Sequence, residues 1–279
     1  MQYKIVADSS SNIRSLEGVK FQNVPLKIIT KEKEYTDDET LDLEGMVADL
    51  KAYKGTSGTS CPNVFDWMSA FGEAENVFAV AITSNLSGSC NAAQQAAAQY
   101  MEEHPERKAC VLDSLSAGPE LRLIAEKVRA GIQEGLSFEE IEAATREYMK
   151  HTHLLFTLRS LNNLARNGRV SPAVAKLAGV LGIVSVGKAS DVGTLQQMHK
   201  CRGEKRAIDT LFKEMKEHGY NGGRVCIGHN FNPEGAKVLE GMIRAEFPDA
   251  NIFVEQSMGL CLFYAEEGGL LVGYEDKDA

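Results

Sequence analysis

The sequence predicts an α/β fold of two lobes, in which a largely parallel sheet flanked by helices forms the N-terminal lobe. Short β-branched apolar runs alternate with amphipathic stretches, a pattern typical of βαβ units. The 279 residues suffice for two compact lobes, each with its own core. Beyond residue 160 the composition shifts to glycine, serine and basic residues, so we expect an N-terminal lobe over 1–159 and a C-terminal α/β lobe over 160–279, with a ligand between them.

The predicted elements follow in chain order from their periodicity and boundary signals. Runs such as YKIVAD and VFAVAIT predict strands at 3–8, 24–30, 77–83, 108–113, 153–158, 182–187, 224–230, 251–256 and 269–274. Amphipathic stretches predict helices at 42–53, 62–72, 87–103, 126–135, 137–150, 159–168, 203–219 and 233–247. Ser137 and Glu140 form the S-x-x-E pattern of a capping box, and Pro62 and Pro233 occupy predicted first helical turns.

Composition argues against several functional classes. The net charge of -9, without a clustered basic face, argues against nucleic-acid binding. No apolar run reaches the length of about 18 residues that a membrane-spanning helix needs, so no stable membrane insertion is expected. The N-terminus enters a strand-like run without the features of a signal peptide, which favours a cytoplasmic protein with reduced thiols.

Three motifs resemble catalytic or metal sites but lack an essential part. GIVSVGKA at 182–189 nearly matches a phosphate-binding loop, yet Ala189 replaces the required hydroxyl and a turn-like SDVGTL follows. The serine-rich fragments GTSGTS at 55–60 and LSGSC at 86–90 both miss the G-x-S-x-G pattern of a serine hydrolase. The histidines of HTH at 151–153 have no further metal ligand near them in the sequence, so we expect no metal site.

Small hydroxyl side chains recur where predicted strands end. They occupy ADSSS at 7–11, GTSGTSCPN at 55–63 and ITSNLSGSCNAA at 82–93. Ligands of open α/β sheets bind at the carboxyl ends of strands, and a helix N-terminus offers unpaired N–H groups to an anion. One such group alone is more often a cap or a turn, but the three together favour a carboxylate or phosphate site at Ser87, Gly88 and Ser89.

The chain resembles the DegV family of bacterial fatty-acid-binding proteins, whose better-known members are lipid-carrying subunits of fatty-acid kinase. The matching segments are Asp8-Ser9-Ser10, VPL at 24–26, TSCP at 59–62, ITSNLSGSCNAA at 82–93, Asp113-Ser114, SLNNLARNGRVS at 160–171 and Arg202. The resemblance implies a long-chain fatty acid between two lobes, with its carboxylate held by Thr59 and Ser87. Ser60, beside Thr59, belongs to the same expected head-group site.

The resemblance also implies a binding protein that is not a catalyst by itself and has no cofactor besides the bound fatty acid. A separate ATP-dependent kinase would phosphorylate the carboxylate to an acyl phosphate for phospholipid synthesis. Arg169 and Arg202 match basic residues expected to contact that kinase or its phosphate donor. The apolar lining is expected from 177–184 and 257–264. Hydroxyls and helix-end N–H groups would hold the carboxylate without a neutralising arginine.

The sequence departs from the family pattern near its C-terminus. The family's H-T-G-P-G aligns with Ala265-Glu266-Glu267-Gly268-Gly269, so the histidine expected near the head group is absent. Glu266 and Glu267 would repel a carboxylate unless they point to solvent. Two alternatives therefore stay open: a DegV-type binder of a different lipid, and an acyl hydrolase or transferase with Ser87 as nucleophile and His229 as base.

Overall fold

The structure is a computed structural model that describes residues 2–171 and 182–279. The strands are β1 (Tyr3–Asp8), β2 (Lys20–Val24), β3 (Lys27–Ile29), β4 (Glu34–Thr36), β5 (Gly58–Ser60), β6 (Asn76–Ala81), β7 (Lys108–Asp113), β8 (Thr152–Leu158), β9 (Ile183–Ala189), β10 (Leu195–Arg202), β11 (Val225–His229), β12 (Ile252–Gln256) and β13 (Leu270–Glu275). The helices are α1 (Leu43–Ala52), α2 (Val64–Phe71), α3 (Ser89–Glu103), α4 (Pro119–Glu134), α5 (Phe138–Tyr148), α6 (Asn162–Arg166), α7 (Glu204–Glu217), α8 (Pro233–Glu246) and α9 (Gly259–Ala265).

The first sheet has four parallel strands in the order β2-β1-β6-β7. Every residue of β6 is buried, as expected for a central parallel strand covered by helices on both faces. Trp67, Phe71 and Tyr100 from α2 and α3 pack on one face. Leu121 and Phe138 from α4 and α5 pack on the other, which confirms the predicted α/β class.

The second sheet has six strands in the order β10-β9-β8-β13-β11-β12. Its pairs are antiparallel except for β11 with β12. Helices α7 and α8 cover one face of this sheet, while α4 contacts strands of both the first and the second sheet. Strand β8 precedes residue 160 in the chain but lies within the second sheet, so the chain has already crossed between the sheets before the expected boundary.

The third sheet is small and antiparallel, in the order β4-β3-β5. Ile28 and Tyr35 of this sheet pack with Met46 of α1 and Phe263 of α9. Strand β5 carries Thr59, because Ile28 of β3 pairs with that residue. The third sheet therefore places the predicted TSCP motif next to α9.

Local signals in the sequence give the correct boundaries in several places and fail in others. The capping box of Ser137 and Glu140 is present, and Pro233 is the first residue of α8. The placement of Pro62 in a first turn is wrong, because Asn63 is the N-cap of α2 and Pro62 precedes it. Helix α4 begins at Pro119, earlier than the predicted residue 126. Part of the expected lining, 177–181, falls outside the described residues.

Candidate functional site

An apolar cavity lies between the carboxyl ends of the first sheet and the second sheet. The space between its lining atoms, counted together with the solvent at its opening, is about 660 Å³. Its lining comprises Ser10, Leu26, Thr59, Ile82, Leu86, Ser87, Ala117, Leu154, Phe156, Leu158, Leu164, Arg169, Leu195, Leu260, Cys261, Tyr264, Ala265 and Leu271. Most of these side chains are aliphatic, so the cavity suits a hydrocarbon chain.

Strand β8 and helix α9 form facing parts of the cavity wall. Leu154, Phe156 and Leu158 alternate along β8 and therefore point to one face of the strand, where they line the cavity. Cys261 and Ala265 line it from α9. Helix α9 is buried on nearly all sides, which explains why its sequence, GLCLFYA, is apolar throughout.

Side chains from the N-terminal lobe hold α9 by its first backbone N–H groups. The Asp37 carboxylate accepts hydrogen bonds from the N–H groups of Gly259 at 2.6 Å and Leu260 at 2.9 Å. The Asn12 side-chain oxygen accepts from the N–H of Met258 at 2.8 Å. Burial raises the pKa of Asp37 to about 6, although these hydrogen bonds oppose the rise. Asp37, which follows β4, and Asn12, in the turn after β1, thus position one wall of the cavity.

The buried Asp8 uses several of the hydroxyls that the sequence offers as ligand contacts. Its Oδ1 accepts from the N–H and the hydroxyl of Ser10, and its Oδ2 accepts from the N–H of Ile82 at 3.0 Å and the hydroxyl of Ser89 at 2.7 Å. Burial raises the pKa of Asp8, and these hydrogen bonds partly oppose that effect. Asp8 therefore joins the ends of β1 and β6 to the start of α3.

Several polar residues of the cavity lining lie close together. The hydroxyls of Thr59 and Tyr264 lie 2.7 Å apart although the residues are 205 positions apart in the chain. The Arg169 guanidinium lies 5.7 Å from the centre of the Tyr264 ring, within cation–π range. Its Nε donates to the carbonyl of Leu86 at 3.1 Å, and Ser87 follows that residue in the lining.

The structure distributes the sequence-predicted residues over three environments. Thr59, Ser87 and Arg169 line the cavity, so the arginine assigned to a partner contact lies beside the expected head-group residues. Ser89 is turned toward Asp8, whereas Ser60 and Gly88 lie near the cavity residues in sequence without lining it. Arg202 is exposed at the end of β10.

Two residues of the alternative hydrolase hypothesis do not form a catalytic pair. His229 lies at the end of β11, is outside the cavity lining and has a pKa lowered by burial. Ser87 Oγ accepts a hydrogen bond from the Ser89 N–H at 3.3 Å. Ser87 therefore lies in the cavity lining just before α3 and is not paired with His229.

The two glutamates near the altered C-terminal motif face away from the cavity. Glu266 Oε1 accepts from the Ser160 hydroxyl at 2.8 Å and from the Asn163 N–H at 3.2 Å. Glu267 is exposed and forms an ion pair with Lys51. Neither glutamate lines the cavity, so neither carboxylate opposes an anionic ligand at close range.

The β9–β10 hairpin closes against the N-terminal lobe. Asn85 Nδ2 donates to the carbonyl of Val192 in the hairpin turn at 2.6 Å. Gly193 has φ +76°, and a Cβ there would lie 2.1 Å from Thr83 Oγ1. Glycine is therefore required at this close approach, and Leu195, two residues later, lines the cavity.

Across residues 2–171 and 182–279, no helix has the length and apolarity to cross a membrane.

Comparison with known proteins gives one consistent family. The model of the DegV family matches residues 2–276. A DegV domain-containing protein of Streptococcus pneumoniae is 43% identical over 279 residues, which cover 99% of both chains. A Eubacterium eligens DegV family protein loaded with heptadecanoic acid is 43% identical with a TM-score of 0.96, covering 99% of this chain and 100% of that one.

A second solved structure is similar to the same extent. The Streptococcus pneumoniae Fatty Acid Kinase (Fak) B3 protein loaded with linoleic acid has a TM-score of 0.98 and 42% identity, covering 99% of this chain and 100% of that one. Both solved proteins hold a long-chain fatty acid.

Proposed function

This chain belongs to the DegV family, and from that premise we propose that it binds one long-chain fatty acid and presents the carboxylate to an ATP-dependent kinase. The observation that carries the proposal is the apolar cavity in whose lining the hydroxyls of Thr59 and Tyr264 and the Arg169 guanidinium lie close together. A fatty acid has the same division into a long apolar part and a single polar end. The fatty-acid-loaded relatives support this assignment.

The acyl chain supplies most of the affinity in this proposal. Burying about 15 methylene groups at roughly 0.8 kcal/mol each contributes about 12 kcal/mol before ordering and association costs are subtracted. The aliphatic residues of β8 and α9 provide the surface that replaces water around the chain. The polar end then has to orient the carboxylate rather than provide the bulk of the binding energy.

The head group lies among Thr59, Ser87, Tyr264 and Arg169 in this proposal. Hydroxyls donate to carboxylate oxygens, and the first N–H groups of α3, after Gly88, add a partial positive charge. Tyr264 adjoins Ala265, the position where the family pattern has a histidine, and supplies a hydroxyl next to Thr59. Arg169 adds a permanent positive charge, while Ser89 donates to Asp8 and so anchors the segment that carries Ser87.

We assign the chemical step to the partner kinase. A carboxylate oxygen of the bound lipid attacks the γ-phosphorus of ATP, the new O–P bond forms as the β–γ bridging bond breaks, and ADP leaves with the acyl phosphate remaining on this protein. The GIVSVGKA segment forms β9 and continues through a turn into β10, which is not the strand-to-helix geometry of a phosphate-binding loop. We assign the exposed Arg202 to the contact with the kinase. We propose that this phosphoryl transfer takes place in the cytoplasm.

The test is mass spectrometry of lipid extracted from the purified protein, with Thr59→Ala/Ser87→Ala as the variant and Ser60→Ala as the matched control. A hydrogen bond to a charged group contributes about 1.5–3 kcal/mol, so each lost hydroxyl should weaken binding roughly 10- to 100-fold. We expect stoichiometric fatty acid in the wild type and the control and its loss in the double variant. A wild-type protein that carries no fatty acid and takes up none would refute the proposal.

A competition experiment with the same purified protein tests which class of lipid it binds. Saturated, unsaturated and head-group-modified lipids compete against a labelled fatty acid. Preference for a free carboxylate supports the assignment, whereas equal binding of a lipid that lacks it would favour the alternative of a different lipid.

A further inference from the structure

A cluster of two histidines and two aspartates lies outside the acyl cavity, at the start of β8. His151 ends the 3-10 turn before β8, and His153 is the second residue of that strand. Asp276 and Asp278 follow β13 at the other end of the chain. The sequence offers only the paired histidines, because the two carboxylates come from residues more than a hundred positions away.

Backbone pairing fixes the relative positions of these residues. Tyr274 of β13 pairs with His153 in antiparallel register. Two positions further, the Asp276 N–H donates to the carbonyl of His151 at 2.9 Å. The His153 ring also packs against the Tyr274 ring with 5.2 Å between centroids, which limits its rotation. The pairing of β8 with β13 therefore positions His151, His153 and Asp276, while Asp278 lies in the turn that follows β13.

The donor atoms are close enough to share one ion. His151 Nδ1 lies 3.2 Å from Asp276 Oδ1, and His153 Nε2 lies 3.0 Å from Asp276 Oδ2. A carboxylate oxygen of Asp278 lies within 4.8 Å of the donor atoms of His151 and Asp276. With metal–ligand distances of about 2.0–2.2 Å, neighbouring ligands of a tetrahedral zinc ion lie roughly 3.4 Å apart. The donor atoms of His151, Asp276 and Asp278 need only side-chain shifts to reach that geometry, because all three lie within 4.8 Å of one another.

From this arrangement we propose that His151, Asp276 and Asp278 form a binding site for a divalent transition-metal ion, with His153 hydrogen-bonded to the Asp276 carboxylate beside it. Imidazole nitrogens combined with carboxylate oxygens suit Zn²⁺, Co²⁺ or Ni²⁺ better than Mg²⁺ or Ca²⁺, which prefer oxygen ligands alone. The side chains of His151, His153 and Asp276 keep 26%, 33% and 14% of their exposure, so an ion can enter from solvent. The bound ion would fasten the segment after β13 to the start of β8.

The competing explanation is a cluster of ion pairs that binds no metal. In that case the histidines only donate hydrogen bonds to Asp276. The Asp278 N–H donates to Asp276 Oδ1 at 2.8 Å, which would fold the tail over the cluster without an ion. Metal titration separates the two explanations, because an ion-pair cluster has no saturable affinity for Zn²⁺.

The experiment is calorimetric titration of ZnSO₄ into tag-free, chelator-treated full-length protein near pH 7.5. The variants are His151→Ala/His153→Ala and Asp276→Asn, and His104→Ala is the matched control, because this exposed histidine lies outside the cluster. We expect one saturable site of micromolar or tighter affinity in the wild type and the control. Since loss of a supporting residue outside the coordination sphere already costs about 10–100-fold, loss of the ligand His151 together with the supporting His153 should weaken binding by more than about 100-fold.

A second readout keeps the test independent of folding defects. Co²⁺ bound by imidazole and carboxylate in a tetrahedral site gives intense visible absorption, which should appear in the wild type and be absent from a double variant with an unchanged circular dichroism spectrum. Millimolar-only Zn²⁺ binding by the wild type, or equal binding by the double variant, would overturn the proposal. Lipid content does not enter this result, so the metal site and the fatty-acid assignment can fail separately.

Discussion

Replacing Glu120 with glutamine should remove a large pH dependence of folding stability. Glu120 is the second residue of α4 and is only 5% exposed. The Thr152 hydroxyl donates to its Oε1 at 2.8 Å, and no positively charged side chain forms an ion pair with it in the part of the chain that the structure describes. Burial raises the pKa of Glu120 to about 7 from a usual value near 4.5, although hydrogen bonding opposes the rise.

The sign and the size follow from proton linkage. Between pH 4.5 and 7 the folded protein keeps the proton that the unfolded chain releases, so stability falls as the pH rises through this range. Raising the pKa of Glu120 from 4.5 to about 7 corresponds to roughly 3 kcal/mol of folding stability, at 1.36 kcal/mol for each tenfold change in proton affinity. Most of this stability is lost as the pH rises from 5 to 8. Glutamine remains neutral, so Glu120→Gln should gain about 2–3 kcal/mol over the wild type between these two pH values.

Urea unfolding of both proteins at pH 5 and pH 8, with the same lipid load, measures this difference. Glu102→Gln, which changes an exposed residue near the end of α3, controls for the loss of one surface charge. The reasoning fails if the stability difference between Glu120→Gln and the wild type is the same at both pH values.

Four further predictions concern the cavity and its closure. Leu154→Ala should cost about 2–5 kcal/mol of stability and admit longer acyl chains toward Thr152, and an unchanged chain-length preference in competition binding would contradict this. Tyr264→Phe removes the hydroxyl beside Thr59 and should weaken fatty-acid binding about 2- to 10-fold in a fluorescence titration. Arg202→Ala should preserve lipid affinity and slow kinase-coupled acyl-phosphate formation; equal loss of both would rule out separate roles. Gly193→Ala should destabilise the protein by at least about 1 kcal/mol in thermal unfolding, because its φ is +76° and Thr83 fills the Cβ position.

The sequence predicts the central architecture because buried parallel strands carry a strong signal. VFAVA in β6 is apolar without interruption, and the S-x-x-E pattern sets the start of α5. Strands β4 and β5 were missed because three residues are too few for periodicity to show. Strand β10 was missed because LQQMHKCR lies at the edge of its sheet and keeps polar residues on both faces.

The sequence predicts only part of the candidate site, because some of its residues are recognised only by contacts between distant segments of the chain. Thr59 and Ser87 stand out as hydroxyls at strand and helix ends, and both line the cavity. Tyr264 belongs to an apolar segment and becomes significant only through a contact with Thr59 across 205 residues. The hydroxyl of Ser89 looks equivalent to that of Ser87 in the sequence, but the buried Asp8 accepts its hydrogen bond. Only contacts between residues far apart in the chain show which of these hydroxyls are available to a ligand.

The strand order of the second sheet means that one edge of β8 stays unpaired for part of translation. Strand β8 pairs with β9 on one edge and with β13 on the other, and the ribosome completes β13 more than a hundred residues after β8. Until then the nascent chain has an open edge on a strand that carries Leu154, Phe156 and Leu158, a template for association with other chains. The parallel sheet needs only residues 3–113 and can form earlier. A polypeptide that stops before residue 270 would therefore keep its first lobe but be prone to aggregate, with the lipid cavity unfinished.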